Sequence, residues 1–165
     1  MKRILHPKLI MLTVLGLLLV SASFAAEWAT FTVQNWGQSE INEDGNLRFR
    51  IDASASGFTL PSWFSLTCSG TDLQLWAYIV GPAGSPDPKP IYQLIKSKDA
   101  CNSSGQLVRS IMGTSARFKL SPGTYTYYLF VALNTGDTVV NPDGTPTGTI
   151  LAMSDLHLGG TVTLP

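Results

Sequence analysis

Apolar and polar residues alternate along much of the chain after residue 25, a pattern typical of β-strands with one buried face. Leu47–Ala53 is the clearest case: Leu, Phe, Ile and Ala share one face, and Arg, Arg and Asp share the other. Together with shorter apolar runs, this pattern predicts seven to nine short strands among the following segments: Ala29–Val33, Leu47–Ala53, Trp63–Thr67, Asp72–Val80, Ile91–Ile95, Gln106–Ile111, Ser115–Leu120, Tyr125–Leu133, Ile150–Met153 and Thr161–Leu164.

Turn-forming residues separate these segments. After residue 25 the chain contains 14 glycines and 9 prolines, and the longest stretch without either is Ile91–Ser104. A helical domain needs longer uninterrupted stretches, so the spacing predicts an all-β, antiparallel two-sheet sandwich. Residues 26–165 contain no internal repeat and no linker, which indicates a single domain. Within it, Ile91–Ile95 and Gln106–Ile111 are candidates to pair around an Asp99–Gly105 turn, and Leu156–Leu158 is ambiguous.

The two longest predicted strands each have an aliphatic face and an aromatic face. Leu73, Leu75, Ala77 and Ile79 alternate along the first strand, and Tyr125, Tyr127, Leu129, Val131 and Leu133 alternate along the second. We expect these faces to meet the opposite sheet. If the two strands are neighbours, their reverse faces bring together four aromatic side chains as a candidate binding surface: Trp76, Tyr78, Tyr128 and Phe130. The alternatives are that a loop such as Gly81–Pro90 covers them, or that they are ordinary cross-strand pairs.

The first 25 residues have the pattern of a secretory signal peptide. Three basic residues lie within the first eight positions, and an apolar run follows from Leu9 to Val20. Ser23 and Ala25 are then the small residues expected before a cleavage site. The apolar run is shorter than the about 20 residues of a membrane-spanning helix. We therefore expect a bacterial periplasmic or extracellular protein, with no integral membrane anchor after processing.

Removal of this leader changes the charge balance. The full chain of 165 residues has 11 basic and 11 acidic side chains, and cleavage after residue 25 removes three of the bases. The remaining 140 residues keep 8 bases and all 11 acids, so their net charge is about −3. This excludes a protein that binds nucleic acid through a basic face.

The mature chain has two cysteines, Cys68 and Cys101. An even number of cysteines in a secreted protein predicts a disulfide, and two free thiols are the alternative. The loop-closure estimate for such a disulfide is about 3–4 kcal/mol.

The side chains needed for catalysis or metal binding are few. His157 is the only histidine after the leader, and its neighbours Ser154 and Asp155 are too close along one strand to form a catalytic triad with it. Two oxygen-rich segments, Glu43–Asn46 and Asn141–Gly144, lack the ligand series of a calcium loop, so we interpret them as turns and keep a calcium site as the alternative. We therefore expect no enzymatic activity, no cofactor and no metal.

One segment carries a family resemblance. Leu120–Tyr127, with the sequence Leu-Ser-Pro-Gly-Thr-Tyr-Thr-Tyr, leads directly into the longest apolar strand. It is similar to the corner before the penultimate strand of immunoglobulin-like and fibronectin-type-III-like modules, in which a tyrosine hydroxyl ties the corner to the backbone. The resemblance covers roughly residues 45–165 and implies a bacterial secreted module of a kind whose functions are mostly unassigned. The chain departs from antibody-type domains, because its cysteines are not in the two core strands.

These features favour a protein that acts by contact. The first hypothesis is an envelope or extracellular interaction or assembly module, whose partner is another protein or a second copy. Contact would be made through the aromatic face or through a sheet edge such as Glu27–Asn35. The alternative is a carbohydrate-binding module that stacks its aromatic rings on a glycan. A pilus-like filament subunit and an unrecognised hydrolase are weaker hypotheses.

Overall fold

The structure is a computed structural model that describes residues 32–41, 47–57, 59–60, 64–85, 90–135 and 148–165. The predicted signal peptide, the two oxygen-rich turns and most of the polar loop before residue 148 lie outside the described residues. The described residues form eight strands: β1 Thr32–Ile41, β2 Leu47–Ser56, β3 Thr71–Val80, β4 Ile91–Asp99, β5 Ser110–Thr114, β6 Gly123–Thr135, β7 Thr149–Met153 and β8 His157–Leu164.

The strands form two antiparallel sheets, as the alternation predicts. One sheet has three strands in the order β1-β2-β5, and the other has five. In the second sheet the order is β4-β3-β6, and both β7 and β8 pair with the far side of β6. The two last strands follow each other along β6: Met153 pairs with Ala132, and His157 pairs with Leu129. They therefore behave as one edge strand with a kink between its halves.

Three predictions of local structure are wrong. Residues 64–67 of the predicted strand Trp63–Thr67 have irregular backbone, and Ser115–Leu120 contributes only one bridge, between Phe118 and Phe49. The predicted pairing of Ile91–Ile95 with Gln106–Ile111 also does not form, because β5 crosses to the other sheet and pairs with β2. A tight turn closed by the Cys101–Leu107 bridge redirects the chain.

The core lies between the sheets and consists of the faces that the sequence predicts. Leu73, Leu75, Ala77 and Ile79 of β3 and the alternate residues Tyr125 to Leu133 of β6 are buried against Phe49, Ile51, Ala53 and Ala55 of β2. Aromatic contacts lie at its centre: the ring of Phe49 meets Phe118 and Tyr127 edge-on, with centroids 5.4 and 5.8 Å apart. Tyr127 packs directly over Gly159, where a Cβ atom would lie 2.3 Å from the ring.

Cys68 and Cys101 form the predicted disulfide, with their Cα atoms 5.6 Å apart. Cys68 precedes β3 and Cys101 follows β4, so the two sulfur atoms join across the open end of the β3–β4 hairpin. The backbone continues the pairing at the same end, because the N–H of Ala100 donates to the carbonyl of Thr71 at 2.9 Å. The disulfide therefore closes a hairpin that the strand pairing already aligns.

At two places where an edge strand ends, the hydroxyl of a buried serine takes the place of a backbone carbonyl as hydrogen-bond acceptor for the neighbouring strand. The Ser154 N–H donates to the Val131 carbonyl at 2.8 Å, and the Val131 N–H donates back to the Ser154 hydroxyl at 2.9 Å. The same hydroxyl donates its proton to the Asp155 carbonyl at 3.0 Å. Ser115 makes the same pair of bonds with Ile51 in the other sheet. Each serine lets an edge strand leave its register while the core strand keeps its hydrogen bonds.

Replacement of Ser154 by alanine tests this arrangement. We expect Ser154→Ala to lower the free energy of unfolding by about 1–3 kcal/mol, because the buried N–H of Val131 loses its acceptor. Ser104→Ala is the matched control, since Ser104 is exposed in a turn and the change should be within about 0.5 kcal/mol. Urea unfolding of both variants measures the difference, and equal midpoints would contradict the role of Ser154.

Candidate functional site

The sheet register brings the four predicted aromatic residues together on the outer face of the five-stranded sheet. Trp76 pairs with Phe130, and Tyr78 pairs with Tyr128. On the other side of β3, Tyr78 pairs with Tyr92 of β4, which the sequence interpretation did not include. We call these five residues the aromatic face.

Two of the five residues of the aromatic face are buried. Trp76 is 1% exposed and Phe130 is 3% exposed. Their rings are stacked at 8° with centroids 6.3 Å apart, and they form a second hydrophobic cluster with Ala132. The indole N–H of Trp76 donates to the buried side-chain oxygen of Gln74 at 3.0 Å. These two rings are therefore packed as a cross-strand pair, which is one of the alternatives left open by the sequence.

The three tyrosines form the accessible part of the aromatic face. Tyr78 lies between Tyr92 and Tyr128, with ring centroids 5.2 and 6.2 Å away, and all three are partly exposed. Their rings are tilted by 55° and 46°. Stacking on a sugar favours rings that are both accessible and close to one plane. The parallel pair is buried and the accessible rings are tilted, so no pair on this face combines the two properties.

Exposed apolar side chains concentrate at one sheet edge. We call Thr149–Leu158, which includes β7, the kink and the start of β8, the β7–β8 edge. It contains five of the six exposed large apolar residues among the described part of the chain, with exposed fractions of 38–65%: Ile150, Leu151, Met153, Leu156 and Leu158. No described strand pairs with the outer side of this edge. The backbone and side chains of the edge therefore present an apolar strand to solvent.

Edge strands β1 and β4 carry charged side chains, whereas the β7–β8 edge, like edge strand β5, contains no lysine or arginine. Edge strand β4 contains Lys96 and Lys98, and Glu40 of edge strand β1 forms an ion pair with Arg117. Asp155 and His157 are the only ionisable residues in the β7–β8 edge. Charged side chains, lysine above all, are the usual protection of an edge strand against pairing with another chain. The predicted edge Glu27–Asn35 is described only from residue 32, where it is part of β1.

A groove lies where β4 passes the free edge of β5. We call it the lysine groove; its volume is about 550 Å³, and it is lined by Lys96 and Lys98 of β4 and by Ser54, Ser56, Ser110 and Met112 of β2 and β5. Burial, and then the charge of Lys96, lower the pKa of Lys98 below its usual value. The sequence interpretation missed this site. The Lys-x-Lys spacing places both side chains on one face of a strand, but it does not reveal which strand lies opposite.

The hydroxyl of Ser154 is held by backbone groups. The Ser154 hydroxyl is buried, accepts the Val131 N–H and donates its proton to a backbone carbonyl rather than to His157. His157 lies in β8 opposite Leu129. Among the described residues, no group of three or more histidine, cysteine, aspartate or glutamate side chains is placed to hold a metal ion. In the same part of the chain, no helix is long and apolar enough to cross a membrane.

Comparison with known proteins identifies no relative: no family model, no curated protein and no solved structure matches the chain. The function has to be inferred from the geometry of the aromatic face, the β7–β8 edge and the lysine groove.

Proposed function

We propose that this chain is a secreted, non-enzymatic interaction module of the immunoglobulin-like or fibronectin-type-III-like class, and that it assembles through its β7–β8 edge. The leader-like pattern of residues 1–25 and the Cys68–Cys101 disulfide support secretion, because disulfides persist in oxidising compartments. The exposed apolar side chains of the β7–β8 edge support a protein that acts by contact.

The corner before β6 supports the module class. The hydroxyl of Tyr125 donates to the carbonyl of Ser121 at 3.0 Å, which is the bond of a tyrosine corner on the penultimate strand of such modules. The loop after β3 packs against the same corner, since the N–H of Ala83 donates to the carbonyl of Thr124 at 2.8 Å. The division into β1-β2-β5 and β4-β3-β6 with a last edge strand agrees with this class.

The observation that carries the proposal is the row of exposed apolar side chains on the β7–β8 edge, together with its lack of lysine and arginine. An exposed edge offers unpaired N–H and C=O groups to an extended strand of another chain, and exposed apolar side chains add specific contacts to those hydrogen bonds. Met153 and Leu158 lie opposite Ala132 and Tyr128 of β6, so an added strand would also lie beside the aromatic face.

A second copy of the chain is the occupant that the edge itself specifies. Two copies present the same backbone groups and the same apolar side chains, so they match when the two edges pair in antiparallel order about a twofold axis. In a pair centred on β7, the Asp155 carboxylates lie near opposite ends and do not face each other. The exposed apolar patch covers a few hundred Å², less than the roughly 800 Å² per partner of a stable complex, so we expect a weak dimer.

Lysine substitutions on the edge test self-association. We expect the wild-type protein to dimerise in a concentration-dependent manner, and Met153→Lys or Leu158→Lys to remain monomeric, because each places a charge where two copies meet. Sedimentation equilibrium from about 1 μM to about 1 mM covers the range of weak dimers. Met112→Lys is the matched control, since Met112 is 74% exposed but lies on β5, away from the edge. A wild-type protein that stays monomeric throughout, or equal dissociation constants for all variants, would contradict assembly through this edge.

Carbohydrate binding is the second candidate function. The row of partly exposed tyrosines at Tyr92, Tyr78 and Tyr128 favours carbohydrate binding. The tilt between their rings makes carbohydrate binding a weaker candidate than self-association. A glycan array probed with the wild-type protein separates the two. Signals that disappear in Tyr78→Ala would favour a glycan ligand, and an array without signal would remove this candidate.

A further inference from the structure

The lysine groove is built by side chains that cross from one sheet to the edge of the other. Lys96 and Lys98 pair with Leu75 and Leu73 of β3, whose side chains are in the core, so both lysines leave β4 on its inner side. Gly113 of β5 leaves room for this crossing, because a Cβ atom there would lie 2.7 Å from the Cβ of Lys96. The ammonium group of Lys98 then donates to the carbonyl of Ser110 at the edge of β5. The position of the second lysine is therefore fixed by a backbone contact.

The positive charge of the groove is not compensated by the described residues. The groove lining contains no acidic side chain, and neither lysine takes part in the ion pairs of the described chain, which join Arg50 to Asp52 and Arg117 to Glu40. Beyond the lysines, three hydroxyl groups in the lining have no hydrogen-bond partner among the described residues: those of Ser54, Ser56 and Ser110. The pKa of Lys98 is lowered by burial and by Lys96, as expected for two ammonium groups without a counter-charge.

We propose that the lysine groove binds a tetrahedral oxyanion, a phosphate or a sulfate group. Two ammonium groups and several hydroxyls supply donors from different directions, which suits the oxygens of a tetrahedral anion. A planar carboxylate is instead matched best by the paired N–H groups of an arginine. The groove, at about 550 Å³, has room for the group that carries the anion as well, and the exposed side chain of Met112 gives part of it an apolar surface.

The site is independent of assembly through the β7–β8 edge. The groove is formed by β2, β4 and β5, whereas the edge pairs with β6. Failure of either proposal therefore leaves the other intact. The mildly acidic charge of the predicted mature chain does not attract anions from a distance, so binding depends on the local donors and weakens with added salt.

Titration of the wild-type protein with inorganic phosphate, sulfate, glucose 6-phosphate and glucose tests the proposal. We expect both inorganic anions to shift the NMR signals of the Lys96 and Lys98 side chains in a saturable way, glucose 6-phosphate to bind more tightly, and glucose to have no effect. Equal affinity for glucose 6-phosphate and inorganic phosphate would identify the free ion as the ligand, and tighter binding of the ester would identify a phosphorylated molecule. Bound phosphate should also raise the pKa of Lys98, because the anion compensates the repulsion from Lys96.

Charge-removing variants identify the site. We expect the double variant Lys96→Gln/Lys98→Gln to bind phosphate at least about tenfold more weakly, because it loses both charge-assisted bonds. Lys119→Gln is the matched control, since Lys119 is exposed outside the groove lining and its loss should leave the affinity unchanged. Ser54→Ala/Ser56→Ala/Ser110→Ala keeps both charges and should still weaken binding, which provides a second variant if loss of the lysines affects folding. Absence of saturation, or equal weakening in the Lys119→Gln control, would overturn the proposal.

Discussion

Loss of the Cys68–Cys101 disulfide is expected to lower the free energy of unfolding by about 3–4 kcal/mol. The two cysteines are 33 positions apart, so the disulfide removes many conformations from the unfolded chain. Strand pairing between β3 and β4 holds the same ends together in the folded state, so the native hairpin should remain assembled without the covalent bond. Loss of the disulfide should therefore lower stability without changing the fold. The expected decrease in melting temperature is on the order of 10 °C.

Calorimetry of oxidised protein, reduced protein and the double variant Cys68→Ser/Cys101→Ser measures this effect. Replacing both cysteines avoids a free thiol that would form disulfides between chains. The reduced protein and the double variant should melt at similar temperatures, well below the oxidised protein. Equal melting temperatures before and after reduction, with free thiols in the mass spectrum of the purified protein, would show that the disulfide is not part of the protein as it is produced.

The fold class and the inner faces of the long strands were predictable from the sequence because they depend on local pattern. Alternation in Leu47–Ala53 and Asp72–Val80 identifies strands and also identifies which residues enter the core. The pairing of strands was harder to predict from the sequence, because it joins residues that are far apart in the chain. β5 follows β4 in the chain but pairs with β2, and the turn signals between β4 and β5 equally fit a hairpin. Apolar and polar residues do alternate in Ser115–Leu120, but only Phe118 forms a β-bridge, with Phe49 of β2.

The candidate sites illustrate the same limit. Alternation places Trp76 and Phe130 on the outer face of their sheet, but it contains no information on whether that face is covered. The β7–β8 edge and the lysine groove both depend on which strands lie at sheet edges, and this follows from the complete strand order. Lys96 and Lys98 lie at an edge, and so do Met153 and Leu158. Edge strand β4 therefore carries lysines and edge strand β7 carries apolar side chains. The local sequence alone does not show that either strand lies at an edge.

Replacement of Trp76 decides whether the aromatic face is a structural cluster or a binding surface. We expect Trp76→Ala to lower the free energy of unfolding by about 3–5 kcal/mol, the range for deletion of a buried aromatic side chain. Its indole is almost fully buried, stacks on Phe130 and donates to Gln74, so the variant loses packing and a hydrogen bond together. Trp76→Phe keeps one aromatic ring for stacking and removes the pyrrole part of the indole with its N–H donor, so we expect an intermediate loss of stability.

The partly exposed tyrosines of the same face supply the control for this prediction. Tyr92 lies on edge strand β4 and remains partly accessible, so Tyr92→Ala should destabilise the protein less than Trp76→Ala does. Urea unfolding of the three variants gives the comparison. If Trp76→Ala is no more destabilising than Tyr92→Ala, the indole contributes little to packing, and Trp76 and Phe130 return as candidates for a ligand platform. If Trp76→Ala is destabilised as expected, binding on this face is limited to the tyrosine row, and the β7–β8 edge is the larger apolar surface left for a partner.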